Sequence, residues 1–124
     1  MKKLIALSVI AVGIAFSGPA FAHGAKAKHG GVLQSAKDLS FELVSKDGKA
    51  VIYVDDHGVD LSTAGATGTL TVLAAGKKSE TTLKPAGANA LSSTLDLKLE
   101  RGVKAVASIT LAGKEPISVR FSRK

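Results

Sequence analysis

From Val32 to the C-terminus, apolar side chains recur at every second position rather than at the three-and-four spacing of a helix. Leu39, Phe41 and Leu43 alternate with Ser40 and Glu42, and Leu70, Val72 and Ala74 with Thr69, Thr71 and Leu73. The longest alternation sets Leu91, Leu95, Leu97 and Leu99 against Ser92, Thr94, Asp96, Lys98 and Glu100. Val103, Ala105, Ala107, Ile109 and Leu111 continue it, and Ile117, Val119 and Phe121 finish it against Ser118, Arg120 and Ser122. Successive strand side chains point to opposite faces, so such a chain forms sheets with one dry and one wet face.

Turn chemistry falls between these runs. Lys46-Asp47-Gly48-Lys49 carries the Asp-Gly pair that tolerates the positive φ of a two-residue hairpin, and Ala75-Gly76-Lys77 and Arg101-Gly102 mark further turns. Ala50–Val54 is apolar on both faces and suits a central strand; Thr81 and Leu83 fit a short strand stopped by Pro85. Val59–Ala66 reads as a loop. The pattern predicts an all-β fold with no helix after the leader: a small antiparallel β-sandwich, immunoglobulin-like in outline, of seven or eight strands.

Residues 1–22 have the anatomy of a cleavable signal peptide. Lys2 and Lys3 form a basic start, Leu4–Phe16 an apolar run, Ser17-Gly18-Pro19 a breaker, and Ala20-Phe21-Ala22 a small-x-small cleavage site. The apolar run is shorter than the roughly 20 residues that span a bilayer, so a soluble periplasmic product with no membrane insertion is expected. Absence of cysteine rules out a lipid-modified N-terminal Cys. Cleavage makes His23 the first mature residue. Residues 23–31, small, basic and glycine-rich, read as a flexible arm ahead of one β-domain over 32–124.

Composition narrows the chemistry. The net charge of +7 is spread along the chain among acidic residues, without the clustered cations and stacking aromatics of a nucleic-acid binder. With no cysteine and one methionine, the initiator, soft-metal capture has no ligands and no thiol nucleophile exists. No serine sits in a nucleophile elbow, and Gly65-Ala66-Thr67-Gly68 is not followed by the Lys-Ser/Thr of a phosphate loop. Asp55 and Asp56, adjacent on a strand, point to opposite faces and make a poor acid–base pair. The chain is not expected to be an enzyme.

The three histidines carry what chemistry remains. A terminal His23 offers an α-amine, with an ordinary pKa near about 8, beside its imidazole; the two can close a chelate ring on one ion. His29 lies six residues along the arm, and His57 ends a strand beside Asp55 and Asp56. Nitrogen and oxygen donors of this kind suit Cu(II), Ni(II) or Zn(II). Against this stands the ordinary role of such residues as solvated arm and turn histidines; the third mature residue, Ala25, also rules out the amino-terminal x-x-His copper motif.

Lys28-His29-Gly30-Gly31-Val32, Leu39–Val44, Tyr53-Val54-Asp55-Asp56-His57-Gly58, Gly65–Leu70 and Pro116–Phe121 together resemble small periplasmic proteins associated with heavy-metal resistance. They are also similar to N-terminal segments of adaptor subunits of cobalt-zinc-cadmium-type efflux systems. The resemblance implies a periplasmic β-domain that binds metal or passes it to an efflux component, with His29 in the HGG motif and His57 in the D-H-G motif. The chain departs from the adaptors in lacking a coiled-coil hairpin and lipoyl-like parts, and from many copper carriers in lacking methionine-rich runs.

Three functional readings follow. The leading one is a non-enzymatic periplasmic metal carrier or accessory with His23, His29 and His57 as ligands and Asp55 or Asp56 as an added oxygen donor. A metal-free β-sandwich module docking on a periplasmic partner is the alternative. The third, an oxidative copper enzyme with an N-terminal histidine brace, is opposed by the scarcity of aromatics and the small size.

Overall fold

A computed structural model describes residues 27–97 and 99–122 of the chain. The proposed leader, its cleavage site, His23 and the first residues of the arm lie outside the described residues. Within them the protein is all-β, as the alternation predicts: nine antiparallel strands in one sheet and no helix.

Three strands, β1 (Val32–Ala36), β2 (Leu39–Lys46) and β3 (Lys49–Asp56), run as an up-and-down ribbon, with a two-residue β4 (Val59–Asp60) folded back on the end of β3. A second ribbon holds β5 (Thr67–Ala74), β6 (Lys77–Pro85) and β7 (Ala90–Ser93). It enters in reverse, so that β7 pairs with β3 and β5 with β8 (Lys104–Thr110), which pairs with β9 (Ile117–Ser122). The order β1-β2-β3-β7-β6-β5-β8-β9 obliges the chain to cross over twice, after β4 and after β7. The sheet curls until β1 lies against β9, giving a nearly closed, barrel-like shape around one core.

That core is the dry face of the alternation. Phe41, Ile52, Leu70, Leu83, Leu91 and Ile109 are fully buried, with Val54, Val119 and Phe121 packed among them. Two hairpins turn as predicted. Asp47 and Gly48 both adopt positive φ, 50° and 81°, and Ala75 and Gly76 repeat the arrangement at 52° and 79°. Such left-handed pairs match the twist of the flanking strands. β3 is central, with β2 and β7 paired along its two edges.

The strand boundaries differ from the expected ones in three places. β4 occupies the start of the span expected as a loop, β6 reaches Pro85 as a nine-residue strand, and β7 ends at Ser93 despite the continuing alternation. Ser93 is the reason for the last. Its buried hydroxyl accepts from the Ala50 amide at 3.1 Å and donates to the Leu95 carbonyl at 2.8 Å, turning the chain out of the ladder. Leu95 is left exposed, while Leu99 returns to the core.

Candidate functional site

Pairing places Leu33, Glu42 and Tyr53 in one row across β1, β2 and β3, on the face opposite Phe41 and Val54. By alternation Glu42 belongs to the wet face, yet it is only 3% exposed. The cover is the segment Lys28–Gly31, which passes over it as a strap. Three backbone N–H groups donate to the Glu42 carboxylate: Lys28 at 3.0 Å, His29 at 2.9 Å and Gly31 at 2.8 Å. A fourth contact comes from His29 Nδ1, 3.1 Å from Oε1. Nearby amides converging on one anion form a concave backbone nest.

Lys28, His29 and Gly31 of the Lys-His-Gly-Gly run each have a contact in this geometry. The His29 ring lies flat on Tyr53, centroids 3.6 Å apart and planes within 5°. Lys28 Nζ reaches Asp55 Oδ2 and the Gly58 carbonyl, each at 3.2 Å, and Asp60 Oδ1 at 3.9 Å. Gly31 runs so close to β2 that a Cβ there would collide with the Leu43 carbonyl oxygen, so only glycine lets the strap lie down. The described end of the predicted flexible arm is thus tied to the sheet.

Burial acts on the Glu42 carboxyl most strongly, pushing its pKa up. The bonds from Gly31, the His29 ring and the amides of His29 and Lys28 together outweigh that and hold the group below the ordinary carboxylate value. Glu42 is therefore ionised and can only accept. His29 Nδ1 must then carry the proton on that side, which in the neutral ring leaves the lone pair on Nε2. The His29 side chain is 38% exposed, so the ring is held at its Nδ1 side while remaining partly open to solvent.

His57 is placed differently. It sits in the β3–β4 turn at φ 52°, with Nδ1 2.9 Å from Asp56 Oδ1 and Nε2 3.4 Å from Asp38 Oδ1. All three side chains are at least half exposed. Asp55 turns the other way, as a neighbouring strand residue must, accepting from the Gly58 amide at 2.6 Å and pairing with Lys28.

The expected donor set is therefore divided. His29 belongs with Glu42 and Tyr53, His57 and Asp56 with Asp38, and Asp55 with Lys28, while His23 lies outside the described residues. Among the described residues no three His, Cys, Asp or Glu side chains are grouped so as to hold a metal ion. Sequence reasoning passed over Glu42, Tyr53, Lys28 and Asp38. An acid between Phe41 and Leu43 looks like any wet-face position, and only the strap makes this one special.

Comparison of the chain with protein-family models, with curated proteins and with solved structures gives no match.

Proposed function

We propose that this is an exported, non-enzymatic metal-binding protein of the periplasm, a carrier or accessory of a heavy-metal efflux system taking Cu(II), Zn(II) or Ni(II). The observation that carries this reading is the His29 ring: a buried carboxylate fixes Nδ1 and directs the Nε2 lone pair away from it. Metal-binding histidines are commonly held in this way, their second nitrogen donating to a carboxylate that sets tautomer and orientation. A mature terminus at His23 would add an amine and an imidazole six residues upstream in sequence. Borderline nitrogen donors of this kind favour the late divalent ions over magnesium or calcium. His57, Asp55 and Asp56 hold contacts of their own, so the reading rests on His23 and His29.

Calorimetric titration of the processed protein with Cu(II), Zn(II) and Ni(II) tests it. Micromolar or tighter binding by at least one ion, lost in His29→Ala and in protein with a blocked N-terminus but kept in His57→Ala, is the expected result. No binding tighter than millimolar for all three ions would refute it.

A further inference from the structure

We infer that the outer face of β5 and β8, around Leu73 and Val106, docks this protein peripherally on anionic phospholipid surfaces. The inference is separate from metal binding and uses none of the residues proposed for it.

Leu73 stands on the wet face of β5, in line with Thr69 and Thr71, and is 47% exposed. Its cross-strand neighbours on that face are lysines on both sides, Lys78 on β6 and Lys104 on β8. In the next row Val106, 37% exposed, lies between Thr71 and Arg120. Side chains offset by two residues on neighbouring strands are within reach of one another, so Leu73 and Val106 make one apolar spot with cations on its flanks. Glu80 is the acid of that second row, and it accepts from the Thr71 hydroxyl at 3.4 Å. The strand pairings bring the β2–β3 and β5–β6 turns to the same end of the barrel. Leu95, 61% exposed, belongs to that end too, on the crossover whose Leu97 amide donates to the Gly48 carbonyl at 2.7 Å.

Charge is divided along the same axis. Every ion pair among the described residues joins Lys28, His29 or His57 to an acid on or beside β2–β4. Among the described residues, Lys77, Lys78, Arg101, Lys104 and Arg120 have no carboxylate at ion-pair distance. A cation already paired must give up its partner to take another anion; these have none to give up.

The shape and composition of the spot select the partner. The outer face of a curled sheet is convex and cannot enclose a small molecule. Protein interfaces place Tyr, Trp and Arg at their centres and are depleted in Lys. Here the centre is Leu73 and Val106, with Lys78 and Lys104 directly against it. A phospholipid surface suits that set: apolar side chains reach the acyl boundary, lysine stems lie along it, and the ammonium groups stay among the phosphates.

The test is flotation of the processed protein, freed of the leader so that its apolar run does not itself enter the bilayer. Vesicles of phosphatidylcholine alone are compared with vesicles of phosphatidylcholine and phosphatidylglycerol in equal parts, at about 0.01 and about 0.15 M salt. Variants are checked for folding by circular dichroism. Binding to the anionic vesicles alone, weakened by salt, is expected. Lys78→Gln with Lys104→Gln should lower the partition coefficient about 10- to 30-fold, and Leu73→Thr about fivefold. Two controls remove the same charge and the same kind of side chain from the other end of the barrel. Lys37→Gln with Lys114→Gln, and Val59→Thr at a residue 67% exposed, should each stay within twofold of wild type. Equal binding to both vesicle types overturns the inference, as does a control pair that weakens binding as much as the Lys78 and Lys104 pair. Indifference to Leu73→Thr also overturns it, because the spot would then be reading charge alone. Soluble polyglutamate that strips the protein from the vesicles at about 0.15 M salt would assign the surface to an acidic protein instead.

Discussion

His29 and His57 each turn Nδ1 toward a carboxylate, at 3.1 and 2.9 Å, and the shorter contact is the weaker interaction. Asp56 and Asp38 are exposed, so water competes for them and the ion pairs contribute between nothing and about 1 kcal/mol. Glu42 is buried, and its contacts with the strap replace water that cannot reach it. Distance ranks these two sites wrongly; what covers the acid ranks them correctly. The lesson extends to a fourth acid, Asp55, whose partly buried carboxylate serves as an anchor for Lys28.

The sharpest way to break this contrast is to delete both acids. Glu42→Ala should cost about 2–3 kcal/mol in urea unfolding, since it strands the strap amides over an apolar row. Asp56→Ala should cost less than about 0.5 kcal/mol. Equal losses would remove the distinction between the sites.

Acid offers a second test. The Glu42 pKa lies below its unfolded value of 4.5, so its contribution is fully present above that value and disappears as pH falls through the lower, folded one. Wild-type stability should therefore fall more steeply than that of Glu42→Gln over the range below about pH 5. Parallel profiles would show that the strap does not depend on the charge.

Smaller effects sharpen the picture. Tyr53→Leu, which removes the ring under His29 but keeps an apolar side chain, should cost about 1 kcal/mol and accelerate tryptic cleavage after Lys28. The smallest change is expected at His57, where φ of 52° burdens a non-glycine residue. His57→Gly should gain about 0.5 kcal/mol, the relief of that conformation exceeding the entropy glycine loses on folding. A loss of more than that would show that the exposed imidazole contributes to stability.

The sheet was legible because alternation is a local signal and the Asp47-Gly48 and Ala75-Gly76 turns repeat it in backbone terms. The same signal misled at Leu95, where a serine hydroxyl rather than any apolar residue decides where β7 stops. The order of the strands was out of reach, since nothing in β7 announces that it will pair with β3. The site was half legible. His29, His57, Asp55 and Asp56 were visible as residue types, but their partners lie across the sheet or in the next turn. Glu42 was hidden by its own regularity: its burial comes from a segment 11 to 14 residues upstream, and no periodicity reports that.

The meeting of β1 with β9 has a consequence for the molecule in company. An open sheet ends in two rows of unsatisfied amides and carbonyls that can recruit a neighbouring chain. Here the two margins shelter one another, although β1 pairs only with β2 and β9 only with β8 among the described residues. With no cysteine to lock them, the margins meet where Val32 packs against the core that holds Val119 and Phe121. Crowding and mild heat should therefore act first on this line, and a chain parted there would offer both margins to its neighbours as templates for aggregation.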